Sequence, residues 1–276
     1  MPNEINKSIT DLYPYLLNYK YPCQYADLGG MSLLCHTSSQ LGHLKEMINS
    51  ILPFVNEVVI LDNDSNDGTT QWCIDQGYKV VHIPLGWIYT HGFSELEMLG
   101  INMCDPKNDW VFSLNSDFRI YIPEDQKKLD TSCSVYNTFM LNKRSADGVV
   151  ERFVQACRII NRKHRVPIVG MIHQGIDPQL KLKYGDSNIY LLHDNFKTYL
   201  NSPGYQERRD RLMYKLFHRA YELKAMNTHW MKHFEQHGKD YIRVYKAMED
   251  LIGILETTDE SYKVLSNGTK FSRPTT

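Results

Sequence analysis

What this 276-residue chain lacks removes several classes of protein before any motif is read. It has no surplus of charge: 31 basic residues stand against 32 acidic ones, a net of -1 with His neutral. Such a balance makes no field that would gather nucleic acid non-specifically. No stretch approaches the roughly 18 consecutive apolar residues of a membrane-crossing helix, so no span is expected. There is no CxxC pair. The six cysteines, Cys23, Cys35, Cys73, Cys104, Cys133 and Cys157, are scattered and several lie in apolar runs, which reads as reduced, mostly buried thiols in a cytosolic setting. Residues Met1–Lys7 hold no apolar signal core, so the expected location is cytoplasmic and the sequons at Asn6 and Asn267 carry no meaning. Repeats and low-complexity tracts are missing too. What remains is an ordinary globular composition, 42% hydrophobic and 12% aromatic, long enough for one large domain or for one domain plus a small appendage.

The most informative stretch runs from Trp110 to Asp117. Trp110-Val-Phe-Ser-Leu has the β-forming character of a buried strand, and it ends in the polar tip Asn115-Ser116-Asp117. In an open α/β sheet, ligands sit beyond the carboxyl ends of the strands, and a carboxylate there suits a hard divalent cation holding phosphate oxygens. The competing reading is a strand that ends in an Asx turn.

The rest of the first half alternates. Met31–Thr37 reads as a strand, Leu41–Leu52 as a helix ended by Pro53, and Glu57–Asp62 as a second strand. An acidic turn at residues 63–68 leads to a helix over Thr69–Asp75 that Gly77 terminates, then a strand over Lys79–Pro84 and a helix over Phe93–Met103. This order implies an α/β fold with a mostly parallel sheet and right-handed crossovers. It brings Cys35, His36, Thr37, Asp62, Asn63, Asp64 and Asp117 to one crevice. Ser134–Leu141 and Phe153–Ile160 read as an antiparallel hairpin added to the sheet. Ile189–Leu192 reads as a short strand ending at His193. The expected organisation is a Tyr-rich N-terminal extension at 1–30, with a short helix at Ile9–Tyr19, an α/β domain at 31–200, a helical region at 201–265 and a loose tail at 266–276.

Several motifs, in order, resemble those of family 2 glycosyltransferases of the GT-A fold. Leu61-Asp-Asn-Asp-Ser-Asn-Asp-Gly-Thr69 is similar to that family's VDDGSTDGT loop. The segment from His82 through Trp87 to Ser94 resembles the entry into its third helix, and Leu114-Asn-Ser-Asp117 its LDADE metal loop. Arg158–Arg162 followed by Gly170-Met-Ile-His-Gln174 resembles its RLFR and G-x-HE pattern. His193-Asp-Asn-Phe196, with Arg208, Arg209 and Arg211 beyond, resembles an HxGY element followed by basic residues. The matches cover about residues 31–211, and five in sequence are far more specific than one.

The resemblance implies transfer of a sugar from a nucleotide-activated donor, usually UDP-linked and usually with inversion, assisted by Mn2+ or Mg2+. A cation on both phosphates stabilises the leaving diphosphate and orients the donor. It implies Asp117 as metal ligand with Asn115, and His193 as a second ligand, an imidazole favouring Mn2+. Asp62, Asn63 and Asp64 fall at the nucleoside, with His36 and Thr37 beside them and Ser116 on the metal loop. Arg208 and Arg211 are phosphate clamps in this reading, and Trp87 stacks on a base or sugar. Core alternatives stand beside each: His193 as a satisfied strand-end histidine, Trp87 as a rim residue, and Arg208–Arg211 as a solvated helix face. His229, His233 and His237 share a helical spacing that suits zinc, or simply a solvated face.

There are four departures from the family pattern. Asn115 replaces the first Asp of the metal loop, and Asn63 the second of the acidic pair. Glu97-Met98 stand where relatives carry Arg-Asn. Gln174 stands where they carry Glu after His173, and a glutamine cannot take the acceptor's proton. Asp177 is the favoured base, ahead of His173, Asp147 and Glu151. Two other readings follow: a degenerate binder without turnover, and a nucleotidyltransferase of related fold. The second wants a Gly-rich basic loop after the first strand, where Thr37–Gly42 has one glycine and no basic residue.

Overall fold

The computed structural model describes residues 28–123, 126–143, 150–171, 175–176 and 180–194, seven positions between 216 and 225, and residues 261–268. Four strands form the centre: β1 (Met31–Thr37), β2 (Glu57–Asp62), β3 (Lys79–His82) and β4 (Trp110–Asn115). They lie in the order β3-β2-β1-β4 and all run parallel. Helices α1 (Leu41–Ile51), α2 (Thr69–Asp75) and α3 (Leu85–Met103) connect them.

The sequence explains this layering. Alternate residues of each central strand face opposite ways, and both sets are apolar, as a sheet covered on both sides requires. Leu33 and Cys35 of β1, Val58 and Ile60 of β2, and Phe112 and Leu114 of β4 pack with Leu44, Met47, Ile48 and Ile51 of α1. Those four recur at helical spacing, which is why α1 turns one stripe inward. Leu34, Val59, Leu61, Val81 and Val111 point the other way, onto Ile88, Leu96 and Ile101 of α3. Burial of each such side chain contributes about 1.5–3 kcal/mol. A one-residue slip would reverse every one of them, so register is fixed.

Beyond β4 the sheet continues through β7 (Val150–Asn161), β6 (Val135–Lys143), β10 (Tyr184–Asp194) and β5 (Phe118–Tyr121), while β11 (Lys263–Asn267) pairs antiparallel with β3 at the opposite edge. The expected hairpin is β6 and β7, paired antiparallel. A separate two-stranded sheet joins β8 (Ile168–Val169) to β9 (Gly175–Ile176).

The position of β5 shows that the large sheet curls. Three Cα steps separate Asn115 from Phe118, a reach of about 11 Å. Yet β5 pairs with β10, four places from β4 in the strand order, which is about 19 Å across a flat sheet. The β10–β5 edge therefore folds back over the carboxyl end of β4. A register shift between Asp186 and Tyr190 marks where β10 departs from regular pairing. β5 is held there against α1: the Ile120 amide donates to Ser50 Oγ at 3.0 Å, and Arg119 pairs with Glu46.

Several boundaries differ from the sequence reading. The third helix begins at Leu85 rather than Phe93, because its two halves are joined across non-helical Gly92 (φ 81, ψ 175). The first ends at Ile51 and passes into a 3-10 turn, Leu52–Phe54, whose first turn tolerates Pro53. The short strand expected at Ile189–Leu192 extends back to Tyr184. Lys263–Asn267 is a strand, where a helical region running into a loose tail was expected. The N-terminal helix, the three histidines at 229, 233 and 237, and most of 201–265 lie outside the described residues. Among the described residues no helix is long and apolar enough to cross a membrane. Cys35, Cys73, Cys104 and Cys133 are free and buried, and burial pushes the thiols of Cys73 and Cys104 up to about 12. Cys23 and the Cys157 side chain are not among the described parts.

Candidate active site

The chain winds from β1 outward to β2 and β3, then returns to place β4 on the other side of β1. The direction of winding reverses between β1 and β4, and in doubly wound sheets the ligand crevice opens at such a reversal, beyond the carboxyl ends. Three loops meet there and are tied together. The Asn63 amide donates to Thr37 O (2.9 Å), and Ser38 Oγ to Asn63 O (2.8 Å). The Ser39 amide donates to Ser65 Oγ (2.7 Å). Asp67 accepts from the Leu41 amide (2.9 Å), the Thr69 amide (3.1 Å) and the Thr69 hydroxyl (2.6 Å). Burial raises the Asp67 carboxyl, but these bonds outweigh it and hold it below its ordinary range. It is a strut between the first two loops. On the other side Ser116 Oγ donates to Gln40 Oε1, linking the β1 and β4 loops.

The curl described above brings His193, at the end of β10, to Asp117, in the turn between β4 and β5. Nε2 lies 3.0 Å from Oδ2, and the two side chains are only 14% and 16% exposed. The Phe118 ring leans on the imidazole, with centroids 4.8 Å apart. Burial pushes the Asp117 carboxyl up, but the hydrogen bond and charge of His193, a backbone amide and the charge of His43 prevail, and the net is below its ordinary value. Asp62 is the reverse: its burial outweighs the bonds from Ser65 and Thr70 and leaves the carboxyl raised. His36 is lowered by burial, with Glu97 opposing and Arg158 adding to the shift.

A second observation marks this edge. Seven buried side-chain atoms lack a hydrogen-bond partner among the described residues. Six are here: His36 Nε2, Thr37 Oγ1, Gln40 Nε2, Asp62 Oδ1, Asp117 Oδ1 and His193 Nδ1; the other is Arg219 Nε. An unsatisfied buried polar atom costs about 1–3 kcal/mol, and native proteins hold few of them. Their concentration at one switch point is what a polar ligand would satisfy.

The structure thus brings together His36, Thr37, Asp62, Asn63, Ser116, Asp117 and His193. Asn115 is exposed at the tip of β4. Asp64, in left-handed backbone (φ 50), is exposed and meets His82 at 3.3 Å. Trp87 stacks on His91 (centroids 4.4 Å, planes at 26°) and meets Tyr262 edge-on, so one face of its ring is already engaged. His173, Gln174, Asp177, Arg208, Arg211 and Asp147 lie outside the described residues, as does the Glu151 side chain. Gln40 and Arg158 are additions. No local signal joins Gln40 to Ser116, 76 positions away. Among the described residues no group of three or more His, Cys, Asp or Glu is arranged to hold a metal. Divalent cations on nucleotides are commonly held by one or two protein groups plus phosphate oxygens, and the Asp117–His193 pair with its spare Oδ1 fits that pattern.

Fold and edge together define a doubly wound α/β protein with a polar crevice at its switch point. No family model matches the chain. It is similar to uncharacterized glycosyltransferases of Rickettsia typhi (32% identical over 82 residues) and Rickettsia bellii (30% over 82). Those alignments cover 29% of this chain and 25% of each relative, so the match spans about a quarter of the relatives' length. Solved structures with a partial likeness to the chain include a glucosyl-3-phosphoglycerate synthase from Mycobacterium tuberculosis with Mn2+, UDP and glucosyl-3-phosphoglycerate (15% identical, 48% of each chain, TM-score 0.28). Another is a mycobacterial protein (14% identical, 68% of this chain and 74% of that one, TM-score 0.40). At such scores these structures add nothing to the strand order described above.

Proposed function

We propose that this protein is a cytoplasmic, metal-assisted glycosyltransferase of GT-A type, moving a sugar from a nucleoside-diphosphate donor, UDP-linked, to an acceptor hydroxyl with inversion. The observation that carries this reading is the gathering, at one switch point, of the Asp117–His193 pair and six buried polar atoms that have no partner among the described residues. The partial similarity to proteins named glycosyltransferases agrees with it. Asp117 and His193, with Asn115, would hold the cation, and a carboxylate–imidazole set suits Mn2+ better than Mg2+. When bound, the cation neutralises the charge that develops on the leaving diphosphate. Asp62 and Asn63 then take the ribose and base, with His36 and Thr37 alongside. Their loops are pre-braced by Asp67 and the Ser38–Ser39 bonds, which spares ordering entropy on binding. Ser116 belongs to the phosphate side, Arg208 and Arg211 clamp the phosphates, and Trp87 lines the rim. His173, Gln174 and Asp177 belong to the acceptor side, with Asp177 the base.

Calorimetric titration of UDP- and GDP-sugars with Mn2+, followed by a donor-hydrolysis assay, tests this. Saturable, Mn2+-dependent binding of a UDP-sugar is expected, and a chain that binds no nucleotide sugar is not a transferase. Binding without turnover would favour the degenerate reading, for which Gln174 and Asn115 speak.

A further inference from the structure

We propose that Arg158, on β7, is the guanidinium that holds the outer phosphate of the bound nucleoside diphosphate, an inference that rests on the nucleotide reading above and adds a residue to it. Arg158 sits where the sheet splits. β4 and β7 pair only through Trp110–Asn161, Val111–Ile160 and Phe112–Ile159. Past the last pair β4 runs on to Asn115 with no β7 partner, and Arg158 is the first β7 residue beyond the pairing. The β6–β7 register shifts between Tyr136 and Thr138, opposite Gln155–Ile159, so a bulge frees Arg158 from the regular alternation of β7. The charge of Arg158 is felt at His36.

The guanidinium carbon lies 5.4 Å from the centre of the Phe118 ring. That ring is 4.8 Å from His193, which is bonded to Asp117. One aromatic ring therefore separates this cation from the pair assigned to the metal. A guanidinium held against a ring by cation–π attraction keeps N–H groups for another partner, and arginine takes a phosphate bidentately. Among the described residues no carboxylate forms an ion pair with Arg158, which meets the Phe118 ring and whose charge reaches His36. A partly buried guanidinium with no counter-charge among these residues gains when an anion arrives.

The order along the edge selects which phosphate. Asp62 ends β2, His36 and Thr37 end β1, Asp117 follows β4, and Arg158 stands on β7. A nucleoside over β2 and β1 runs its diphosphate past Asp117, and the outer phosphate arrives at Arg158. A purely structural role, an arginine stem packed on a phenylalanine, gives a different result in solution.

The test is calorimetry on the full chain with Mn2+, titrating UDP and UMP, and GDP and GMP, into wild type, Arg158→Met and Arg158→Lys, with thermal melting alongside. Loss of a charge-assisted bond to phosphate weakens UDP binding about ten- to hundredfold in Arg158→Met, leaves UMP unchanged, and puts Arg158→Lys between the two. Unchanged UDP affinity, or an equal loss for UMP and UDP, overturns the assignment. If Arg158→Met fails to fold, the UDP-to-UMP affinity ratio in Arg158→Lys decides: a fall supports the clamp, no change overturns it. If wild type binds neither UDP nor GDP, the transferase reading falls on its own. Mn2+ with inorganic pyrophosphate then judges Arg158 alone: binding lost in Arg158→Met sustains it, and binding retained, or absent from wild type, ends it.

Discussion

Replacing Gly92 by alanine should cost a large share of the stability of the fold. Gly92 joins the two halves of α3 in backbone (φ 81, ψ 175) open essentially to glycine alone, and holding an alanine there costs about 1–3 kcal/mol. The new Cβ would also come within 2.7 Å of Met171 Cα and 2.8 Å of Met171 Cβ. The first of these is backbone, so no rotamer change relieves it. Met171 is pinned further by its carbonyl, which accepts from the Phe93 amide at 2.8 Å, and by its amide, which donates to Ala225 O at 3.1 Å. Overpacking against such a site adds about 1–3 kcal/mol, and the stiffer unfolded chain returns about 0.4–1 kcal/mol. The net is a loss of about 1–6 kcal/mol, against the 5–15 kcal/mol typical of a folded domain. With a urea slope of about 1–3 kcal/mol per molar, a loss in the middle of that range lowers the unfolding midpoint by about 1 M or more. Gly42→Ala is the internal control: it lies in α1 with nothing within 4 Å of the added Cβ, and its midpoint should hold or rise. A Gly92→Ala protein within 0.5 kcal/mol of wild type, an uncertainty of about the size expected for a neutral surface change, would refute the reasoning.

Two further expectations concern the crevice. Asp62→Asn should leave stability at pH 7 unchanged or raised by up to about 1 kcal/mol, since it removes a buried charge while keeping an acceptor for Thr70, yet it should weaken nucleotide binding. Because the folded carboxyl is raised, its penalty is absent at the acid end and grows as pH climbs past 3.8, so the stability gap between variant and wild type should open over that climb. A variant clearly less stable at pH 7 than at pH 3, relative to wild type, contradicts this. His36 runs in the opposite sense. Its folded value is lowered by burial, so its contribution is present above 6.5 and lost as pH falls. His36→Gln should therefore flatten the acid limb of the stability profile below that point, and parallel limbs would remove His36 as its source.

The central half of the fold was open to reading because its periodicities are unmixed. Leu44, Met47, Ile48 and Ile51 repeat like a helix, Val58 to Leu61 are continuously apolar like a doubly covered strand, and α2 came out at Thr69–Asp75 as expected. The gathering of His36, Thr37, Asp62, Asn63 and Asp117 followed from that alternation alone. What stayed hidden depends on distant partners. β5 is four residues long and exists only because the sheet curls to meet it. The first half of β10, Tyr184-Gly-Asp-Ser-Asn, is polar and has little strand propensity, so pairing with β6 decides it. β11 lies in a segment with exposed Val264 and Leu265 and gains its strand character from β3. Arg158 could be seen as a motif residue, but its place at the parting of β4 and β7 could not.

The most direct measurement is the UDP affinity of wild type and Asp117→Ala, each with and without Mn2+. If the edge grips a diphosphate through a cation held by Asp117 and His193, Mn2+ tightens UDP binding in wild type and has no effect in Asp117→Ala. Equal Mn2+ dependence in the two proteins would contradict the account.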